Sequence, residues 1–186
     1  MGIGCLGGIR ANTSSLYTAS YDINVVMKQR VYIETTIPSF YHEMRSEPSM
    51  VSRRDWTRDW WNNYRYDYEM VTSEAVLNEL RKGNHPKKEE TLKLIETVPL
   101  VPITEEIIDI VSGYINHHVM PKDPAGDALH LAIASFHKCD FLVTWNCKHL
   151  ANANKYAHIQ RINVMLKLYV PCLVTPMELI NEENEL

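Results

Sequence analysis

The stretch GDALHLAIASFHKCDFLVTWN, residues 126–146, decides the fold of this chain. It places an acid, Asp127, ahead of apolar residues at helical spacing and then runs into FLVTW, a β-rich segment at residues 141–145. A helix that leads directly into a buried strand is typical of a βαβ unit, and such units build parallel sheets. The stretch therefore predicts a parallel α/β domain, with Asp127 in the first turns of its helix and Asn146 where its strand ends.

The same alternation of strand and helix continues over the rest of the chain. The predicted strands are RVYIE, YEMVT, PLVPI, FLVTW and CLVT, at residues 30–34, 68–72, 99–103, 141–145 and 172–175. Helix-start signals lie between them, including Ser73 before EAVLNELRK, Asp123-Pro124 before the helix of Asp127, and a capping box at residues 175–178. We expect a single three-layer α/β/α domain with a mostly parallel sheet.

Composition excludes several classes of protein. Hydrophobic residues make up 45% of the 186 residues, which is enough for a buried core and argues against disorder over most of the chain. No apolar run approaches the roughly 20 residues that span a bilayer, so we expect no membrane association. The formal net charge of −4 argues against binding nucleic acid through bulk positive charge, but not against a phosphate-handling site with its own metal cation.

The first residues differ in composition from the remainder. Four of the 7 glycines lie within the first eight positions, and residues 1–26 are small, polar and aperiodic. We expect a disordered extension over residues 1–26 and a folded domain over residues 27–186, with Met27 as an alternative start.

The cysteines and histidines allow two interpretations. Because the four cysteines form no paired framework and no secretory signal precedes them, we expect a reduced, cytoplasmic setting. A zinc site is the competing interpretation for the sequence cluster His130, His137, Cys139, Cys147 and His149. Its spacing matches no common zinc pattern, and His130 has the typical position of a packed histidine.

Polar residues follow two of the predicted strands. Glu34 ends the first strand and Asn146 follows the fourth, while Glu79 and Asp127 lie beside the apolar stripes of their helices. Ligands of open parallel sheets bind outside the carboxyl ends of the strands. Acids gathered there repel one another, so we expect at least one raised pKa and a divalent cation as compensation. Ligands that all offer oxygen favour Mg²⁺ or Mn²⁺.

Four segments carry a family resemblance. VYIETTIPSFY (31–41), SEAVLNEL (73–80), GDALHLAIASFHKCDFLVTWN (126–146) and CLVTPMEL (172–179) resemble, in this order, the motifs of PIN-domain nucleases, especially the VapC-like toxins of bacterial toxin–antitoxin pairs. The resemblance implies a PIN-like fold, cleavage of RNA, and Mg²⁺ or Mn²⁺ held by Glu34, Glu79, Asp127 and Asn146. It further implies a homodimer and a small antitoxin protein that blocks the site.

Two of these residues depart from the family pattern. Glu34 stands where the family usually has Asp, and Asn146 stands where it often has Asp. The main hypothesis is a metal-dependent endoribonuclease in which Glu34, Glu79, Asp127 and Asn146 surround the metal. The departures leave two alternatives open, a catalytically weak PIN-like binding or scaffolding module and a hydrolase of small phosphate compounds.

Several residues keep a structural interpretation beside the functional one. Thr35, Thr36 and Thr144 either hydrogen-bond the carboxylates or cap strand ends. The stripe Trp56, Trp60 and Tyr64 favours packing within the domain or against a second subunit, with base stacking as the alternative. Glu74 simply suits the N-terminus of its helix, whereas Glu79 has the position of the family acid.

The composition of residues 1–26 leads to a first prediction. A chain that begins at Met27 should unfold at the same temperature as the full chain, because the omitted segment has no apolar periodicity with which to pack on the domain. Thermal unfolding followed by circular dichroism measures this. Loss of soluble expression of the shortened chain would contradict the prediction.

Overall fold

The computed structural model describes residues 27–120, 123 and 125–180, so the extension predicted over residues 1–26 lies outside the described part. The strands and α-helices of the described part are β1 (Arg30–Ile33), α1 (Thr36–Tyr41), α2 (Pro48–Asp59), β2 (Glu69–Ser73), α3 (Glu74–Lys82), α4 (Lys88–Ile95), β3 (Leu100–Val101), α5 (Glu105–Asn116), α6 (Asp127–Phe136), β4 (Phe141–Val143), α7 (Ala153–Met165) and β5 (Cys172–Val174). A π-helical turn at Trp60–Tyr64 continues α2, and 3₁₀ turns lie at Arg65–Asp67 and Pro176–Leu179.

The five strands form a parallel sheet with the order β3-β2-β1-β4-β5. The chain adds β2 and β3 on one side of β1 and then crosses over to add β4 and β5 on the other side. The direction of strand addition therefore reverses between β1 and β4. In open α/β sheets, the crevice at such a reversal is where ligands bind.

Helices cover both faces of the sheet. Helices α1 to α4 contact one another in pairs, and α5 packs on α6. Helix α7 joins the second group through Asn163, whose side chain accepts a hydrogen bond from Tyr114 of α5 and donates one to Ser135 of α6, at 2.7 and 2.8 Å. Right-handed crossovers require these two groups to lie on opposite faces. The predicted three-layer α/β/α fold is confirmed.

The central strands are buried on both faces. Val31, Tyr32 and Ile33 of β1 and Leu142 and Val143 of β4 have no exposed surface. This explains why both strands read as continuous apolar runs rather than as an alternation of apolar and polar residues. The covered strands place the polar residues that follow them at the same end of the sheet.

The aromatic stripe of α2 packs mainly within the domain. Trp60 is fully buried, whereas Trp56 is 39% exposed. Trp56 stacks on Trp145, which follows β4, with ring centroids 6.2 Å apart and planes inclined by 22°. Packing within the domain is therefore confirmed for Trp60, and the stack joins α2 to the end of β4.

Two helix starts differ from their sequence signals. Helix α6 begins at Asp127 rather than at the predicted Pro124, because the Asp123 carboxylate accepts the backbone N–H of Ala125 at 3.0 Å and so closes a turn ahead of the helix. Ser73 occupies the N-cap position of α3, but its side chain makes no capping hydrogen bond. The capping box at residues 175–178 is present and opens a 3₁₀ turn.

Two further sequence expectations bear on the described part of the chain. None of its helices has the length and apolar character required to cross a membrane. Cys139, Cys147 and Cys172 are free thiols, and Cys139 is buried.

Candidate active site

Glu34 lies at the switch point of the sheet, where the ends of β1 and β4 meet. Its side chain is almost completely buried, with 4% of the residue exposed. The backbone N–H of Thr36 donates to one carboxylate oxygen at 3.0 Å, and the hydroxyl of Thr36 donates to the other. The same hydroxyl accepts the backbone N–H of Trp145 at 2.8 Å. Thr36 therefore ties Glu34 to the end of β4.

Burial raises the pKa of the Glu34 carboxyl above its usual value. The positive field of His130 and hydrogen bonds from Thr36 and Thr144 oppose the increase, but they do not cancel it. The predicted raised pKa is thus present in the site. Its main cause is desolvation of the carboxylate rather than repulsion between neighbouring acids.

Glu79 extends from α3 toward the same end of the sheet, with 33% of its side chain exposed. Its Oε2 accepts a hydrogen bond from the hydroxyl of Thr35, and its Oε1 lies 3.1 Å from Nε2 of His130. Burial alone would raise the pKa of Glu79, but the hydrogen bonds and the charge of His130 outweigh burial and lower it. Glu79 is therefore held as a carboxylate.

His130 of α6 is a residue of the candidate site that sequence reasoning undervalued. It is 2% exposed, and its Nδ1 lies 2.9 Å from the hydroxyl of Tyr32. Burial would lower the pKa of His130, but the hydrogen bond to Glu79 and the nearby carboxylates raise it. It is a packed histidine, as expected, and it also contacts a candidate ligand. The signal available in the sequence was its position one helical turn after Asp127.

Asp127 and Asn146 form a hydrogen-bonded pair beside this cluster. Asn146 Nδ2 donates to Asp127 Oδ1 at 2.8 Å, and the backbone N–H of Asn146 donates to the hydroxyl of Thr144 at 2.8 Å. Asn146 Oδ1 accepts the backbone N–H of His149 at 3.2 Å, so Asn146 also caps a turn. Asp127 borders a cavity of about 200 Å³ that is lined as well by Asp123, Gly126 and His149.

The other members of the histidine and cysteine cluster contact separate parts of the fold. His137 Nε2 lies 2.8 Å from the carbonyl oxygen of Pro102, and His149 Nδ1 lies 3.0 Å from Nζ of Lys155. Cys139 is buried, and burial raises the pKa of its thiol to about 12. These side chains have different partners, so they do not act as one group of ligands.

The four predicted ligands fit Mg²⁺ or Mn²⁺ in donor chemistry, because each offers an oxygen atom. In the part of the chain that the structure describes, no three Asp, Glu, His or Cys side chains form a group able to hold one ion. Glu34, Glu79 and Asp127 instead accept hydrogen bonds from neighbouring side chains. Each carboxylate oxygen has more than one lone pair, so an ion could bind beside these hydrogen bonds.

The chain was compared with known protein families, curated proteins and solved structures. Scans of protein-family models, of curated proteins and of solved structures give no match to this chain.

The buried carboxyl of Glu34 leads to a second prediction. Because folding raises its pKa, the ionised form costs stability at neutral pH, and this cost disappears as pH falls below the unfolded value of about 4.3. Without divalent ions, Glu34→Gln should therefore have a larger free energy of unfolding than the parent at pH 7, and the gain should shrink toward pH 4.

Urea unfolding between pH 4 and pH 8 in the presence of a chelator measures this difference. Glu74→Gln is the matched control, because Glu74 is exposed and pairs with Arg81 at 2.6 Å. A Glu34→Gln effect of the same size at every pH would contradict the prediction.

Proposed function

We propose that this protein is a Mg²⁺- or Mn²⁺-dependent endoribonuclease that hydrolyses RNA phosphodiester bonds. The observation that carries the proposal is the buried Glu34 at the switch point of the sheet. His130 contacts Glu79 at 3.1 Å, and the charges of Glu34, Glu79 and Asp127 all raise the pKa of its imidazole. A carboxylate as deeply buried as Glu34 is costly to ionise unless a cation compensates it, which favours a metal-dependent reaction.

Glu34, Glu79 and Asp127 would hold the ion, with Asn146 as a neutral oxygen ligand. A bound Mg²⁺ or Mn²⁺ supplies Lewis-acid polarisation of the phosphodiester and a more acidic bound water. The protein's own side chains orient the ligands: Thr36 holds Glu34 by two hydrogen bonds, and Thr35 holds Glu79. No nucleophilic side chain is required for this chemistry.

Positive charge beside the site supports a polyanionic substrate. The guanidinium of Arg53 lies 5.5 Å from the ring centre of Trp145 and 5.6 Å from that of Phe40. Trp145 directly precedes Asn146, so Arg53 is held against the residue next to a candidate ligand. An arginine held by aromatic rings, with the exposed Trp56 beside it, suits an RNA backbone with accessible bases.

We propose further that the enzyme is the cytoplasmic toxin of a toxin–antitoxin pair. This part of the proposal rests on the motif resemblance, which also implies a homodimer and a small antitoxin partner. A gene for a small DNA-binding protein beside this one would support it. Co-expression with that neighbour should then suppress cleavage.

A specific observation favours a second candidate function, a PIN-like binding or scaffolding module without strong catalysis. The carboxylates of Glu34, Glu79 and Asp127 all accept hydrogen bonds from the chain itself, so the fold does not require an ion to satisfy them. Asn146 also supplies no charge. Titration with Mn²⁺ separates the two functions, because a scaffold has no need to bind the ion.

The third prediction tests the proposed reaction with two glutamates of α3. Glu79→Gln should slow cleavage by about 100-fold or more, because it removes the charge of a metal ligand, whereas Glu74→Gln should cleave as the parent does. Both residues lie on the same helix and receive the same substitution, but Glu74 only pairs with an exposed arginine. Single-turnover cleavage of a labelled RNA pool in Mg²⁺, in Mn²⁺ and in a chelator is the measurement.

Equal cleavage by the parent and Glu79→Gln would show that the cleavage does not come from the proposed metal site. Turnover of a chromogenic phosphodiester with RNA left intact would instead favour the small-molecule hydrolase. The same samples should unfold at a higher temperature with Mn²⁺, since saturation at 100 times the dissociation constant stabilises a fold by about 2.7 kcal/mol.

The fourth prediction concerns the pair Asp127 and Asn146. Asp127→Asn should abolish cleavage and keep the fold, because the new amide oxygen still accepts the hydrogen bond from Asn146. Asn146→Asp should keep or increase cleavage in saturating metal, but it should destabilise the metal-free protein, since it places two carboxylates face to face. Cleavage assays and thermal unfolding with and without Mn²⁺ measure both effects. Equal cleavage by the parent and Asp127→Asn would show that the activity comes from elsewhere.

A further inference from the structure

A buried network of hydrogen bonds lies directly behind Glu79. His130 is at its centre, with Nδ1 2.9 Å from Tyr32 Oη and Nε2 3.1 Å from Glu79 Oε1. Tyr32 Oη is also 2.8 Å from Ser73 Oγ. Tyr32 and Ser73 have no exposed surface and His130 is 2% exposed, so water does not compete for the hydrogen bonds among these three residues. We call Ser73, Tyr32, His130 and Glu79 the His130 network.

The carboxylate of Glu79 determines the direction of the hydrogen bonds. An ionised carboxylate only accepts, so Nε2 of His130 carries the hydrogen. In the neutral imidazole, Nδ1 then accepts from the hydroxyl of Tyr32, which in turn accepts from Ser73. In the imidazolium, Nδ1 donates to Tyr32, which donates to Ser73. Nε2 therefore donates to Glu79 in both protonation states.

The N-cap position of Ser73 agrees with this network. A serine at the start of a helix ordinarily accepts a backbone N–H with its side chain. Ser73 makes no such bond to α3, and its hydroxyl instead pairs with Tyr32. The side chain is thus committed to the His130 network rather than to capping of the helix.

We propose that His130 is a positioning residue that holds the Glu79 carboxylate in one orientation at the site. Thr35 holds the other carboxylate oxygen, and Tyr32 holds the imidazole ring through Nδ1, so that Nε2–H points at Glu79. Each carboxylate oxygen has a second lone pair, so both stay able to bind a cation. The inference rests on the proposed function in one respect, the role of Glu79 as a metal ligand.

This arrangement matters because Glu79 has a long side chain with one-third of its surface exposed. A free glutamate samples many rotamers, and a ligand must lose that freedom when it binds an ion. Hydrogen-bond donors on both carboxylate oxygens restrict the rotamers of Glu79 before an ion binds. Hydrogen bonds from residues around a metal site orient its ligands in the same way.

The first experiment measures Mn²⁺ binding to the full chain without RNA, by calorimetry or electron paramagnetic resonance. His130→Leu should weaken binding by about 10- to 100-fold, because it removes the donor to Glu79. His130→Gln should recover most of the loss, since its amide N–H replaces Nε2–H. His137→Leu is the matched control and should bind as the parent does, because His137 ends the same helix but contacts Pro102.

The second experiment needs no metal and examines the imidazole nitrogens by NMR. The parent should show a hydrogen on His130 Nε2 that exchanges slowly with water and shifts in both Glu79→Gln and Tyr32→Phe. Tyr32→Phe also serves where His130→Leu fails to fold, and it should weaken Mn²⁺ binding because it releases the imidazole.

The outcomes separate the two proposals. If the parent binds Mn²⁺ and either His130→Leu or Tyr32→Phe binds it equally well, the positioning role is overturned and the nuclease proposal stays intact. Parent protein that binds no Mn²⁺ would overturn the nuclease proposal, and the NMR result would then decide the positioning role alone. The positioning role is overturned if His130 Nε2 carries no hydrogen, or if the NMR signal of that hydrogen does not change in Glu79→Gln.

Discussion

The parallel pairing of β1 with β4 is the contact on which the candidate site depends. The pairs Val31–Phe141, Tyr32–Leu142 and Ile33–Val143 bring together strands that are separated by more than half of the described chain. Because Ile33 pairs with Val143 at the ends of the two strands, the residues that follow β1 and β4 lie side by side. The backbone of Trp145 then reaches Thr36, and Thr36 in turn holds Glu34. A shift of register by one residue would turn these side chains to the wrong face of the sheet.

The contact between α2 and the end of β4 supports this pairing. The indole N–H of Trp145 donates to the hydroxyl of Thr57 at 2.7 Å, and that hydroxyl donates to the carbonyl oxygen of Arg53 at 2.6 Å. Thr57 and Trp145 are both buried, so these hydrogen bonds are protected from water. The segment that carries Asn146 is therefore held from two directions, by α2 and by the residues after β1.

Much of the fold follows from local patterns in the sequence. Short β-rich runs bounded by turn signals predicted all five strands, and in the central strands β1 and β4 these runs are continuous because both faces are covered. The ends were less predictable: β3 has only two paired residues, and α6 begins at Asp127 since Asp123 closes a turn instead of capping the helix. Such choices depend on which of two competing hydrogen bonds forms, and spacing alone does not reveal that.

The sequence predicts which end of the sheet the candidate acids occupy, but not which side chains they contact. Glu34, Asp127 and Asn146 follow strands or begin a helix, so topology alone brings them to one end of the sheet. The partner of His130 was not predictable, because helical periodicity indicates that a side chain is buried and not what it contacts. Ser73 illustrates the same limit, since its sequence context predicts a cap and its actual partner is Tyr32, a residue on a different strand.

The stack of Trp56 on Trp145 has an optical consequence. Two indoles with centroids 6.2 Å apart and nearly parallel planes have coupled electronic transitions, and such coupling produces a paired positive and negative band in the circular dichroism spectrum. Trp60 and Trp61 form a second close pair, with centroids 6.3 Å apart and planes inclined by 70°, and this pair couples as well. The difference between the spectra of the protein with and without Trp56 therefore reports on the end of β4, within one residue of Asn146, without an added label.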